Sequence, residues 1–243
     1  MTNSAEVTLT ILIPCFNEEK NIEATLNTVL GALVEVKCSY EVLVVDDQST
    51  DRTLEVAQHW IASHPEVNAR ATRNSKNRGL SRTYVDGAFE GHGRYYRLVC
   101  GDNAEPRSSL VKIFKRIGDA DMIVPYHPLV PGKSWGRLQL SRAYTWLVNT
   151  ISGYHLKYYN GLAVHLRYNV MRWGPYSFGF GFQAELITRL LDEGATYIEV
   201  PVDVFHQEKD ARASALNWRN FLSVSHTLLD ILIRRIRRHA FER

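Results

Sequence analysis

The first hundred residues alternate between short apolar runs rich in β-branched side chains and segments whose apolar residues recur at helical spacing. Val7 to Ile13 is such a run; it ends at Pro14 and passes through Asn17-Glu18-Glu19 into a helical pattern carrying Ile22, Leu26, Val29 and Leu33. Glu41 to Val45 repeats the strand pattern and Asp46 to Asp51 makes a polar turn. Leu54, Ala57 and Ile61 then return to helical spacing, with Ser49 the expected helix cap. A third cycle predicts a strand near Val67 to Ala71, a helix from Leu80 to about Glu90 and a strand from Tyr95 to Cys100. Strands alternating with helices predict an α/β fold: a mostly parallel central sheet flanked by helices, with ligands at the carboxyl ends of the strands.

The second half is less regular. A short strand is expected over Asp121 to Val124, then a Pro/Gly loop from Pro125 to Gly136 and a helix around Leu138 to Ile151. A helix from Phe182 to Glu193, a strand from Thr196 to Val200, a charged loop through Arg212 and a last helix from about Trp218 complete the reading. With 243 residues the chain can bury one α/β core but does not promise two. Residues 1–215 therefore read as one catalytic domain and 216–243 as an appended amphipathic, basic helix. That helix carries Trp218, Phe221, Leu222, Ser225, Leu228, Leu229, Leu232 and Ile236 on one face and Arg234, Arg235, Arg237 and Arg238 near its end. It can lie in a membrane interface with its arginines on anionic headgroups, or pack on the domain.

Twenty-nine Lys and Arg against 26 Asp and Glu leave too small an excess to argue for nucleic acid. Cys15, Cys38 and Cys100 are odd in number and lack metal-ligand spacing, which suits free thiols in a reducing compartment and sets a cytoplasmic expectation. Runs of about 18 apolar residues are missing, so any membrane contact is expected to be peripheral, on the cytosolic face.

Asp46, Asp47 and Asp102 each follow an apolar strand, and a parallel sheet would bring them to one edge. Carboxylates there can bind a ribose or base edge and a divalent cation that neutralises a diphosphate leaving group; oxygen ligands beside phosphate select Mg²⁺ or Mn²⁺. Acidic residues after strands are also ordinary turn formers.

Three stretches together resemble glycosyltransferase family 2. They are Ile13-Pro14-Cys15-Phe16-Asn17-Glu18, Val44-Val45-Asp46-Asp47-Gln48-Ser49-Thr50-Asp51, and Gly79-Leu80 with Tyr84, Gly87 and Gly93-Arg94-Tyr95. Spacing through Asp102 is most similar to dolichyl-phosphate mannose synthase and other polyprenyl-phosphate glycosyltransferases, and the likeness continues over Phe182 to Arg189 and Glu199-Val200-Pro201. It implies a nucleotide-diphospho-sugar transferase (GT-A) fold, in which Pro14, Phe16, Glu18, Val45 and Asp47 help hold the nucleotide and Asp102 binds the metal. The family's D-x-D triplet falls on Cys100-Gly101-Asp102, so its first carboxylate is replaced by a thiol, with Asn103 and Glu105 as nearby substitutes. His127 stands where the family usually has an arginine, and Lys209, Arg212 and Ser214 echo its late phosphate-contacting pattern. Lys209 and Arg212 can screen a developing diphosphate charge, or be an ordinary solvated loop.

The resemblance implies an inverting enzyme moving a hexose from a GDP- or UDP-sugar to polyprenyl or dolichyl phosphate. A phosphate monoester is already largely ionised at neutral pH, whereas a hydroxyl acceptor requires a base, for which Glu185 is the candidate. Glu185 can equally orient a neighbour. The rival expectations are a family 2 transferase acting on a glycan or other hydroxyl, and a non-catalytic nucleotide-sugar-binding scaffold.

Overall fold

The computed structural model describes residues 7–128, 135–174, 181–205 and 218–241. Seven strands form one sheet. At its centre β1 (Leu9–Cys15) is flanked by β2 (Tyr40–Asp46) and β4 (Tyr95–Leu98), with β3 (Ala69–Arg73) outside β2, all four parallel. On the other side β5 (Met122–Tyr126) runs parallel to the edge strand β7 (Tyr197–Pro201). The short strand β6 (Val164–Leu166) is wedged antiparallel between β4 and β5. The expected mostly parallel sheet is thus present, with one inverted strand.

Side chains alternate across the sheet, so each strand supplies both faces. Leu9, Ile11, Ile13 and Cys15 enter one core with Val42 and Val44. That core is closed by α1 (Ile22–Val36), α2 (Thr53–Ala62) and α4 (Arg107–Phe114). Leu12, Leu43, Val45 and Leu98 enter the other, covered by α3 (Leu80–Glu90), α5 (Trp135–Ser152) and α7 (Phe182–Asp192). The small helix α6 (Arg167–Arg172) packs beside α3, and α8 (Trp218–Phe241) lies against α5 and α7.

The structure departs from the sequence reading in several places. β3 begins two residues later than expected, and α4, β6 and α6 were not anticipated at all: they have eight, three and six residues. Elements of about two turns or less carry too few repeats of apolar spacing for pattern alone to separate them from loop. Ser49 does not cap α2. Its hydroxyl accepts the Asn17 amide at 2.9 Å, while Asp51 accepts both the amide (3.0 Å) and the hydroxyl (2.5 Å) of Thr53.

The last helix is tied to the body of the protein rather than hung from it. Ile231 is buried in the second core, and Arg234 reaches Asp192 at 2.5 Å, Asp230 at 2.9 Å and the Thr188 hydroxyl at 2.8 Å. Arg235 donates to the carbonyls of Thr150 (2.5 Å) and Ile151 (2.9 Å), and Arg238 pairs with Asp192 and the Tyr154 hydroxyl. Three of the four arginines expected on headgroups are therefore intramolecular clamps. The expected boundary at 215/216 lies outside the described residues.

Candidate active site

β1, β2 and β4 end together. Cys15 is in register with Asp46, and pairing between β1 and the chain after β4 continues through Val99 N–H to Leu12 O (2.8 Å) and Gly101 N–H to Pro14 O (3.4 Å). The turns after these strands consequently share one rim of the sheet, and Asp102 follows directly on a residue bonded to β1.

The loops after β1 and β2 are sewn into one unit. Asn17, at φ 57°, accepts the Thr50 amide and hydroxyl through Oδ1 at 2.8 and 3.2 Å. The Glu18 amide donates to Thr53 Oγ1 at 2.8 Å and the Glu19 amide to Asp51 at 3.2 Å. This leaves Phe16 49% exposed at the rim beside half-buried Pro14 and Glu18. Val45 is buried, its side chain in the second core; what it offers the rim is backbone.

The two aspartates of β2 and its turn divide the work. Asp46 is fully buried, receives the Ser49 amide at 3.1 Å and pairs with Arg73 at 3.2 Å. Asp47 accepts Asn74 Nδ2 (2.7 Å), the Arg78 amide (2.8 Å) and the Gly79 amide (2.8 Å). Gly79 precedes α3 at φ 76°, a conformation glycine adopts without strain, so Asp47 sits at the positive end of that helix and fixes the 74–79 loop.

After β4, Asp102 accepts the Ala104 amide at 3.2 Å, Asn103 turns back at φ 54°, and Thr25 donates to Gly101 O at 2.9 Å. Glu105 pairs at 2.5 Å with Arg97, which is completely buried and also donates to Leu162 O. Glu105 is thereby a counter-ion to the core. Burial pushes the Cys100 thiol up, and the nearby carboxylates Asp102, Glu105 and Glu18 add to the effect. Cys15 is raised by burial and then by Glu18, Asp46, Cys100 and Asp102, which shows how closely these groups converge.

Among the described residues no group of three or more His, Cys, Asp or Glu is arranged to hold a metal ion. The oxygens present still suit a hard cation that keeps ligands from its substrate: alongside the Asp102 carboxylate, Asn103 Oδ1 and Glu105 Oε2 are buried acceptors without a hydrogen-bond partner.

Other sequence candidates fall elsewhere. Glu185 lies in α7, 2% exposed, with Arg189 at 3.7 Å; Arg189 in turn reaches Asp230 of α8 at 3.4 Å. His127 stands against Tyr158, edge to face at 5.5 Å, and its Nδ1 is 3.3 Å from Val202 O. Lys209 and Arg212 lie outside the described residues. The chain leading to them passes the Asp102 turn, where the Phe205 amide donates to Ala104 O at 2.9 Å. One buried cluster escaped the sequence reading: His165 on β6 bonds Gln183 at the start of α7 at 3.2 Å, next to Tyr84. Its members are scattered in sequence, and only the strand inversion at β6 assembles them.

A nucleotide-diphospho-sugar transferase (GT-A) architecture is what this sheet, with its acidic carboxyl rim, defines. Solved structures of that class align along almost the whole chain. A mannosyltransferase from Pyrobaculum calidifontis, in complex with GDP-Man and Mn²⁺, has a TM-score of 0.67 at 20% identity, covering 96% of this chain and 65% of that one. Glucosyl-3-phosphoglycerate synthase from Mycobacterium tuberculosis, with Mn²⁺, UDP and phosphoglyceric acid, has a TM-score of 0.71 at 16% identity, covering 94% and 79%. The model of glycosyl transferase family 2 matches residues 10–176, and the chain belongs to that family. Among its relatives, a dolichol-phosphate mannosyltransferase of Pyrococcus furiosus is 31% identical over 45% of this chain and 30% of its own length. A dolichyl-phosphate beta-glucosyltransferase of Dictyostelium discoideum is 28% identical over 46% and 34%. The chain thus spans about a third of the length of these two. An undecaprenyl-phosphate mannosyltransferase of Micrococcus luteus is 26% identical over 81% of this chain and 83% of its own.

Proposed function

We propose that this glycosyltransferase moves a hexose, with inversion, from a GDP- or UDP-hexose to a polyprenyl or dolichyl phosphate at a membrane surface. Residues 1–215 are taken as the catalytic unit. The observation that carries the reading is the convergence of the β1, β2 and β4 turns on one rim, in a chain whose likeness to the undecaprenyl-phosphate enzyme extends over most of both lengths.

The loop pair built on Asn17 and Asp51 presents Pro14, Phe16 and Glu18 to the nucleotide, with Phe16 offering a ring face to a base. Asp47 holds the 74–79 loop that borders the same space. Asp102, with Asn103 and Glu105 near it, would hold Mg²⁺ or Mn²⁺, and such a cation would supply positive charge to offset that of a leaving diphosphate. Lys209 and Arg212 would add positive charge that screens the leaving diphosphate. A phosphate acceptor brings its own negative charge to the anomeric carbon, so no side chain has to remove a proton. The buried pairing of Glu185 with Arg189 suits a positioning role on α7 better than proton exchange with solvent.

Thermal-shift titration of wild type and Asp102→Asn with GDP-, UDP- and dTDP-sugars, with and without Mn²⁺, tests the donor half. Stabilisation by one donor that needs the metal and Asp102 supports the reading and selects the sugar to offer to polyprenyl phosphate. Binding of no donor under any metal overturns it. Binding without transfer leaves a nucleotide-sugar-binding scaffold, and transfer only to a hydroxyl acceptor moves Glu185 into the base role.

A further inference from the structure

The arginine clamps on α8 determine which side of that helix faces outward. Leu222, Leu229, Leu232, Ile233 and Ile236 are each at least 40% exposed, and at about 100° per residue they fall within a single arc of about 100°. The opposite side holds buried Thr227 and Ile231 and the clamping Arg234. Where α8 passes the end of α5, Ile151, Leu232, Ile236 and Ala240 line an apolar groove of about 610 Å³, with Arg235 and His239 also in its wall. Exposed apolar side chains gathered on one helix face beside such a groove mark an interaction surface.

The charge around it is one-sided. Arg234 and Arg238 of α8 are balanced by Asp230 and Asp192, while Arg235 bonds carbonyl oxygens and keeps its charge beside the groove, and Asp230, the one carboxylate of α8, is paired inward with Arg189 and Arg234. Arg237 projects beside the apolar arc and is exposed. Two copies meeting through this face would bring like charges together, whereas an anionic bilayer would accept both the apolar arc and the arginines. No described helix is long and apolar enough to cross a membrane. We infer that the outward face of α8, with the groove it forms at the end of α5, is a docking surface for an anionic phospholipid bilayer, α8 lying in the interface with Leu229, Ile233 and Ile236 inserted and Arg237 on the headgroups. This extends the proposed lipid-phosphate acceptor to a specific face of the protein, and it rests on that reading only for its biological purpose.

The test is cosedimentation of the full chain with vesicles of phosphatidylcholine alone and of phosphatidylcholine mixed with phosphatidylglycerol. Wild type should sediment with the mixed vesicles and release as salt rises. Leu229→Glu and Ile236→Glu should each weaken binding by at least about tenfold, because a charge enters the apolar interface. Arg237→Glu should weaken binding to the mixed vesicles. Val34→Glu, at an exposed position on α1, should change nothing, and circular dichroism confirms that each variant is folded. Unchanged partitioning of folded Leu229→Glu and Ile236→Glu would overturn the inference, as would self-association that these substitutions abolish. Transfer to a short-chain prenyl phosphate without vesicles separates the two claims. Activity there with no vesicle binding sinks the docking surface alone; vesicle binding with no donor binding sinks the transferase reading alone.

Discussion

His165 makes a sharp physical prediction because it is buried, neutral and off the rim. It is fully enclosed on β6, with Nε2 3.2 Å from Gln183 Oε1 and Nδ1 without a hydrogen-bond partner. Burial pushes its pKa down to about 4, against 6.5 for a solvated imidazole, and the Gln183 bond offsets only part of that. Because the folded value lies below the unfolded one, the unfolded chain takes the proton first. The stabilisation is complete above pH 6.5 and is lost as pH falls from 6.5 towards 4. A gap of about 2.5 units at about 1.36 kcal/mol each sets a ceiling near 3 kcal/mol, of which roughly 2 kcal/mol or more is lost by pH 4.5. Glu41 does not contaminate that window. Burial works to raise it, but bonds from Thr10, the His92 amide and Arg70 outweigh burial and hold it at about 2, so its share is lost only below pH 4.5. Urea unfolding at pH 7.5, 6.5, 5.5 and 4.5 should show wild type losing about 2 kcal/mol more than His165→Gln between the first and last points. Equal pH slopes for the two proteins would refute the assignment.

Arg97→Met should cost about 3–5 kcal/mol by leaving Glu105 buried without its counter-ion, and adding Glu105→Gln should recover most of the loss; chemical denaturation of the single and double variants measures both. Gly161→Ala should abolish soluble expression or lower the melting temperature severely, since a Cβ there would lie 2.2 Å from the Pro125 carbonyl oxygen, which is backbone and cannot yield. Asp47→Ala removes the acceptor of three hydrogen bonds, two from backbone amides, and should destabilise by about 2 kcal/mol or more. Hydrogen exchange should then quicken at the Arg78 and Gly79 amides while β1 stays protected.

What the sequence made legible follows the length and regularity of each element. The β1–α1 and β2–α2 cycles were readable because their strands are buried on both faces, which gives continuous apolar runs, and their helices keep period 3.6 for several turns. Parallel strands also made the rim readable: once Cys15 and Asp46 stand in register, the turns beyond them have no other place to go. The partners of individual carboxylates were not readable. Asp46 and Asp47 are adjacent and identical, yet one is locked to Arg73 and the other to the amides ahead of α3, a division set by strand pleat. The arginines of α8 looked like a membrane-facing cluster in one dimension. Helical rotation turns Arg234, Arg235 and Arg238 inward and leaves Arg237 outside.

Cys100 stands where the resemblance to family 2 places a carboxylate, and the fold gives a reason why an acid there would not simply act as a metal ligand. It packs against the second core, and burial first, then Asp102, Glu105 and Glu18, pushes its thiol up. A carboxylate at that point loses hydration and faces three like charges, with Arg97 committed to Glu105. Cys100→Asp should therefore melt about 5–10 °C below Cys100→Ser at pH 7 without metal, for a penalty of a few kcal/mol. The gap should narrow as pH falls, because protonating the new acid removes the repulsion. Adding Mn²⁺ with donor nucleotide should narrow it as well if the new carboxylate can turn to the Asp102 side. Equal melting of the two variants at pH 7 would mean that the site is better solvated and less negative than the packing of Cys100 implies. In that case the thiol would be an accident of sequence rather than an adaptation to the proposed site built on Asp102.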